Sequence, residues 1–344
     1  MNNKWLEFCY DLVYDFIPEQ YGDNASAYSS FRLISDHALC VATHYKDFFK
    51  EDENKQLEVG AFFLGIGEGF IMLGLFDDAL IAYMHSKDIC EKFLEHNHGS
   101  TALVYNNIAN VYREKGEYET ALDWFFKALE IDIITEGEAD ISTAQTINNI
   151  ATVLSALGKH KEAIDRFLKA LHVFEKQSDA DELGISTIYT NLSAEYSLEK
   201  MYHNAIEWAL KALKIDEKCY GINHPNIATT YNNIGLYHYC TKDYESASFW
   251  FQKALEVRKN IFGDYNIQTA TIYYNLANTY YQQGSNFIEA IDMLKKSYHI
   301  RKKYLGISHP HTQLVLLAMK KYYAEMNEIL PFEKWLKVVE NNES

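Results

Sequence analysis

A right-handed α-solenoid, a superhelix of stacked helical hairpins, is the fold class this sequence predicts, and three observations carry the prediction. The blocks YNNIANVY (105–112), INNIATVL (147–154), YTNLSAEY (189–196), YNNIGLYH (231–238) and YYNLANTY (273–280) each start 42 residues after the last, a period in the range of repeat architectures. Inside one unit the apolar positions run Tyr105, Ile108, Tyr112 and then, after Gly116, Tyr118, Ala121, Phe125, Ala128; steps of three, four and seven stripe two successive helices. Finally, 4 Pro and 16 Gly in 344 residues leave little punctuation for a turn-rich β fold, while 48% hydrophobic residues exclude a disordered chain.

Taken in order, residues 1–58 read as two or three helices broken at Pro18 and near Gly22-Asp23-Asn24, forming a cap on the first repeat or, alternatively, an effector module. Stepping back 42 residues from the first block reaches FLGIGEGF (63–70), so the hairpin stack is expected to run unbroken over 59–325. That makes six clear repeats, and an eroded seventh follows around Leu316–Tyr323, displaced by the insertion in QQGSNFIEA. Each hairpin needs small residues where two helix backbones approach: alanines at 121, 163, 205 and 247, and again in the Lys-Ala-Leu triplets at 128, 170, 212 and 254. Residues 326–344 supply a short capping helix through Phe332, Trp335 and Leu336, and a tail. One hairpin cannot bury both of its stripes, so the units must stack, with a concave and a convex face.

Ala109, Tyr112, Gly116, Tyr118, Ala121, Phe125 and Ala128 match the signature of the tetratricopeptide repeats, which the chain resembles over roughly 59–325. The 42-residue unit, with its Asn-Asn-[Ile/Leu]-Ala block, is similar to the kinesin light chain variety. The resemblance implies a protein-binding role and no catalysis.

Catalytic signatures are missing. Gly65, Gly67 and Gly69 lack the preceding strand of a dinucleotide site and read as close helix packing. No metal motif occurs among the 13 histidines, and His224-Pro225 and His309-Pro310-His311 read as loop and cap residues. His238 and Cys240, two apart on a helix, are not a nucleophile and base pair. Five cysteines without a Cys-x-x-Cys pair fit a reducing, cytoplasmic setting, as does a start with acids in its apolar stretch. Asn-x-Ser matches at Asn24, Asn191 and Asn342 are then not expected to be glycosylated. A formal charge of −16 disfavours nucleic acid and anionic membranes as partners, and the most apolar segment, Val59–Phe76, is too short to cross a bilayer. No cofactor is expected.

The asparagines carry the functional expectation. Asn107, Asn149, Asn191, Asn233 and Asn275 recur once per repeat inside the first helix, where Asn is a poor helix former and capping cannot explain it. They precede the buried position by one residue, hence about 100° around the helix, and their stripe continues through Asn110, Thr152 and Asn278. Asn106, Asn148 and Asn232 widen it, and Arg113 lies one turn on. In the resembling families such a ladder binds the backbone of an extended peptide, and a carboxamide offers the donor and acceptor that this needs. The competing reading is that each Asn ties its helix to a neighbouring repeat. Positions where acidic-tail receptors of this superfamily carry cations read Gln145, Thr187, Thr229 and Thr271 instead, so the expected partner is a neutral or basic extended segment. Trp124, Trp208 and Trp250 are either exposed hot spots or half-buried packing. The expected function is a non-enzymatic adaptor; the alternative is a signalling-peptide-responsive regulator acting on a partner protein through its N-terminal helices. Oligomeric state is open.

Overall fold

A computed structural model describes residues 3–14, 25–95, 97–177, 181–284, 287–326 and 330–341. Among these residues all regular structure is helical, in sixteen helices. The expected breaks at Pro18 and Gly22–Asn24, and the Asn-x-Ser matches at Asn24 and Asn342, lie outside them. The chain forms two compact units, Met1–Gln177 and Ser178–Ser344.

The first unit holds α1 (Asn3–Tyr14), α2 (Ala25–Phe48), and three hairpins: α3 (Glu53–Met72) with α4 (Phe76–Phe93), α5 (Gly99–Glu114) with α6 (Tyr118–Thr135), and α7 (Ile141–Ala156) with α8 (His160–Phe174). The second unit holds α9 (Glu182–Leu198) with α10 (Tyr202–Tyr220), α11 (Pro225–Cys240) with α12 (Tyr244–Phe262), α13 (Ile267–Gln283) with α14 (Phe287–Leu305), and α15 (Pro310–Glu325) with α16 (Phe332–Asn341). The eroded repeat is therefore a real hairpin whose second helix is the expected C-terminal cover.

The helix starts follow the sequence. The side chains of His98, Asp140, His224, Asn266 and His309 each accept the backbone N–H two residues on, capping α5, α7, α11, α13 and α15. Pro225 and Pro310 occupy the first turn, where a missing N–H costs nothing. The His-Pro dipeptides are thus helix caps. Six first helices end in a left-handed residue: Gly74, Gly116, Gly158 and Gly284 in four hairpins, but Lys200 (φ 60°) and Lys242 (φ 65°) in two more. A side chain tolerates that conformation poorly.

Packing within a hairpin rests on a small residue of the first helix meeting a side chain of the second, a ring where the small residue is Gly67 or Gly235. Gly67, Ala109, Ala151, Ser193, Gly235 and Ala277 form one series, all buried. A Cβ on Gly67 would fall 2.3 Å from Tyr83, and one on Gly235 2.8 Å from Phe251. Gly69 likewise admits Phe31 of α2, at 2.5 Å from an ideal Cβ, which seats the N-terminal helices on the first hairpin. Tyr10 of α1 lies 4.3 Å from both Tyr45 and Phe62, ring to ring. Gly67 and Gly69 of FLGIGEGF are packing surfaces, as expected. At the other end Trp335 packs on Tyr323 at 4.6 Å, beside Phe332 and Leu336. Two pairs of consecutive hairpins are tied by a tyrosine in the middle of a first helix: Tyr105 donates to Glu91 at 2.8 Å and Tyr231 to Glu217 at 2.7 Å. No helix among the described residues is long and apolar enough to cross a membrane.

Gly67→Ala should lower the thermal midpoint of the protein by an amount equivalent to about 1–3 kcal/mol, because overpacking against Tyr83 outweighs the gain in helix propensity. Lys242→Gly should raise the urea midpoint, by about 0.5 kcal/mol, by relieving a left-handed lysine. Circular dichroism during heating and urea titration measures both.

Candidate functional site

Asn191 and Asn233, one repeat apart, line a single pocket of about 260 Å³ with Thr187, Thr190 and Asp216. Both asparagines are half-buried, and among the described residues neither carboxamide has a hydrogen-bond partner. Their backbone N–H and C=O groups are spent within α9 and α11, so the amide heads alone face the pocket. Asp216, at the end of α10, is buried and accepts from Ser186 Oγ at 2.5 Å.

The next asparagines along are engaged. Asn275 Nδ2 donates to Asn232 Oδ1 at 2.9 Å, joining α13 to α11, and Asn278 accepts from Tyr322, whose ring stacks on Tyr281 at 3.8 Å. Asn232 also lines a second pocket, of about 200 Å³, with Thr229, Gln268, Thr271 and Arg258. Of the five ladder positions, then, Asn275 ties neighbouring hairpins together while Asn191 and Asn233 share a cavity.

In the first unit Asn106 donates to Thr146 Oγ1 at 2.9 Å, and Thr146 donates to the buried Asp132 at 2.7 Å. Burial holds the Asp132 carboxyl above its ordinary range, with the hydrogen bonds from Thr146 and Asn106 pulling the other way. Asn107 Nδ2 and Asn148 Oδ1 are buried without a partner among the described residues. Asn110 and Asn149 are half-buried. Thr152 returns its hydroxyl to the Asn148 carbonyl, and Arg113 pairs with Glu114 at 2.8 Å. Asn106 and Arg113 are thus committed to structural contacts.

A slot that the sequence reading passed over matters most. Residues 132, 174, 216 and 258 follow the same 42-residue step near the end of each second helix, and 301 follows after the insertion; they are Asp, Phe, Asp, Arg and Arg, all buried. Arg258 donates to Thr229 Oγ1 at 2.7 Å, and Arg301 donates to Thr271 Oγ1 at 3.3 Å and to the His311 carbonyl at 3.2 Å. The first helices carry no cation at these positions, as the sequence reads, but the second helices deliver two arginines to Thr229 and Thr271. The signal was available in the 42-residue register of the second helix.

Other candidates resolve into packing. Trp124, Trp208 and Trp250 are half-buried, each 5.2 to 5.5 Å from Tyr105, Tyr189 or Tyr231 of its own hairpin. Each carries the lysine of its Lys-Ala-Leu triplet over the ring, at 4.2, 3.9 and 5.1 Å. His238 faces Asp243 at 3.1 Å, and Cys240 is exposed. No group of three metal-ligating side chains occurs among the described residues.

The tetratricopeptide repeat family model matches residues 59–133, 142–218, 196–260 and 250–303. Among solved structures, BtubC (BKLC) from P. vanneervenii is similar at 18% identity and a TM-score of 0.59, over 70% of this chain and 94% of that one. The TPR-like repeats of a Podosopora anserina protein described as a kinesin light chain match at 14% and 0.51, over 58% and 95%. The signal transduction ATPase PH0952 from Pyrococcus horikoshii, with its tetratricopeptide repeat sensor, matches at 15% and 0.64, over 95% of this chain but 50% of that one. No curated protein matches the chain. At these identities the structures speak for the fold, and the family model, the 42-residue period and the hairpin packing agree: this chain belongs to the tetratricopeptide repeat family.

Proposed function

We propose that this protein is a non-enzymatic adaptor that holds an extended peptide, or a flexible protein segment, along the first helices of its hairpins. The observation that carries this reading is the pair Asn191 and Asn233, whose carboxamides line one pocket, one repeat apart, with no partner of their own among the described residues. A half-buried amide lining an open pocket without a protein partner is available to a ligand, and an unpaired peptide strand offers the donor and acceptor it can take. Proteins that use hairpin stacks in this way bind through side chains on the repeated faces while the backbone of the stack stays rigid. Residues 1–58 and 326–344 we read as covers for the first and last hairpins. The excess of acids, −16 in all, favours a partner whose long-range charge is neutral or basic, and the unpaired cysteines suit the cytoplasm.

The reading separates asparagines by role. Peptides of about twelve residues selected from a displayed random library on the full-length protein should lose about tenfold in affinity on Asn191→Ala, or 1–2 kcal/mol, with the thermal midpoint unchanged. A fall in midpoint with affinity intact would instead make Asn191 a structural residue and end the peptide reading. Asn275→Ala should show the opposite pattern: the lost bond to Asn232 lowers stability by about 1 kcal/mol while the selected peptides bind as before. Isothermal calorimetry and thermal melts on the two variants, side by side, measure the contrast.

A further inference from the structure

On the second-helix side of the first unit, α6, α7 and α8 enclose a hollow of about 640 Å³, more than twice the volume of either pocket on the first helices. Its walls are Leu129 and Ile133 of α6, Ile147 of α7, and Leu168 and Val173 of α8. Arg166 and Lys169 of α8 line it as well. Ile133 and Leu168 are exposed to water, and so is Phe126 of α6, with the Arg166 guanidinium 6.0 Å from its ring centre. An apolar recess of this size, rimmed by charge, is the kind of surface that side chains of another molecule fill.

The 42-residue register explains why the hollow exists. Three junctions between hairpins carry one trio of residues: Glu91, Tyr105 and Trp124, then Glu175, Tyr189 and Trp208, then Glu217, Tyr231 and Trp250. In each the indole lies against the tyrosine ring, and the lysine three residues on lies over the indole. At the junction of α6 with α7 all three members differ: they are Ile133, Ile147 and Arg166. Replacing glutamate and tyrosine together leaves neither a carboxylate nor a hydroxyl to be satisfied at those two positions. The indole, a group that buries roughly 150–250 Å² in a packed site, is gone, and no side chain of the hairpin takes its place.

The cation that accompanies the indole is still present. Lys169 keeps the lysine position and pairs with Asp165 at 2.8 Å. That pairing leaves it able to cover a ring, because Lys211 pairs with Glu207 at 3.0 Å in the same way and still lies 3.9 Å from the Trp208 ring centre. Arg166 adds a guanidinium that bonds no carboxylate among the described residues. A guanidinium plane stacks on aromatic faces, and an ammonium is drawn to them, whereas an aliphatic side chain would use neither cation.

We propose that this hollow is a docking site for an aromatic side chain, tryptophan or tyrosine, presented by a segment of a partner protein. The ring enters where the neighbouring junctions hold their own indole, against Leu129, Ile133 and Ile147 and beside Arg166 and Lys169. The site uses none of the residues of the Asn191 and Asn233 pocket, and it stands or falls apart from the peptide reading above.

The test fills the hollow from within. A full-length variant carrying Ile133→Glu, Ile147→Tyr and Arg166→Trp has the trio of the neighbouring junctions. Peptides of about twelve residues, selected from a displayed random library on the wild-type protein, should include a class that this variant no longer binds and that Asn191→Ala binds as wild type does. That class should carry Trp or Tyr at one position, and changing it to Ala should weaken binding to wild type about thirtyfold. Should the triple variant fail to fold, the exposed Ile133→Glu alone should weaken the same class about tenfold, by placing a charge in the recess. If every selected peptide binds the filled variant as tightly as wild type, or if those it loses carry no aromatic residue, the docking site is overturned. N-acetyltryptophanamide binding as tightly as the peptides would overturn the protein partner in favour of a free small molecule. Dimerisation in the analytical ultracentrifuge that the filled variant abolishes would overturn it in favour of a second copy of this chain.

Discussion

Everything in this molecule depends on how closely two helices of a hairpin can approach. The first helix contributes a residue small enough to let a ring of the second lie against its backbone, and that contact fixes the hairpin angle on which stacking depends. Gly67 under Tyr83 and Gly235 under Phe251 are the tightest examples. One hairpin departs from the rule, and its departure is compensated. Where the others carry a large side chain at the facing position, α10 has Ala209, and its partner grows to Ser193, whose hydroxyl donates to the Ala205 carbonyl at 2.9 Å and contacts the Tyr237 hydroxyl at 3.2 Å. A hydrogen bond there replaces the ring contact.

Much of this was legible because the code is periodic. A spacing of 42 residues, small residues in register and histidine, aspartate or asparagine before each first helix translate directly into hairpins and caps. The eroded seventh repeat could be placed because the 42-residue step, shifted by the insertion, reaches Leu316–Tyr323. The site was legible only in part. Asn191 and Asn275 occupy equivalent positions, and nothing in their local sequence tells a free carboxamide from one bonded to Asn232; that depends on which residue the adjacent hairpin offers. Arg258 escaped notice for a different reason. It sits on the second helix in a stripe otherwise read as core, and a long side chain reaches the first-helix surface from a position that spacing assigns to the interior.

The slot that carries Asp132, Phe174, Asp216, Arg258 and Arg301 shows how a repeat protein separates architecture from chemistry. The hairpin tolerates either sign or none, because the position lies where a second helix ends beside the first-helix surface and each polar occupant is met by a hydroxyl: Thr146, Ser186, Thr229 or Thr271. Net charge then describes the long-range field of the chain, while the local sign in each cavity is set one residue at a time.

The tyrosines in the middle of α5 and α11 bear on how such a chain is made. Tyr105 and Tyr231 each close on a carboxylate fourteen residues earlier in the chain, in the helix that precedes them. At these two junctions a hairpin therefore docks on an acceptor that has already been synthesised. During translation a growing stack can add hairpins at the ribosome exit in the order in which they emerge, each new hydroxyl finding a finished surface behind it.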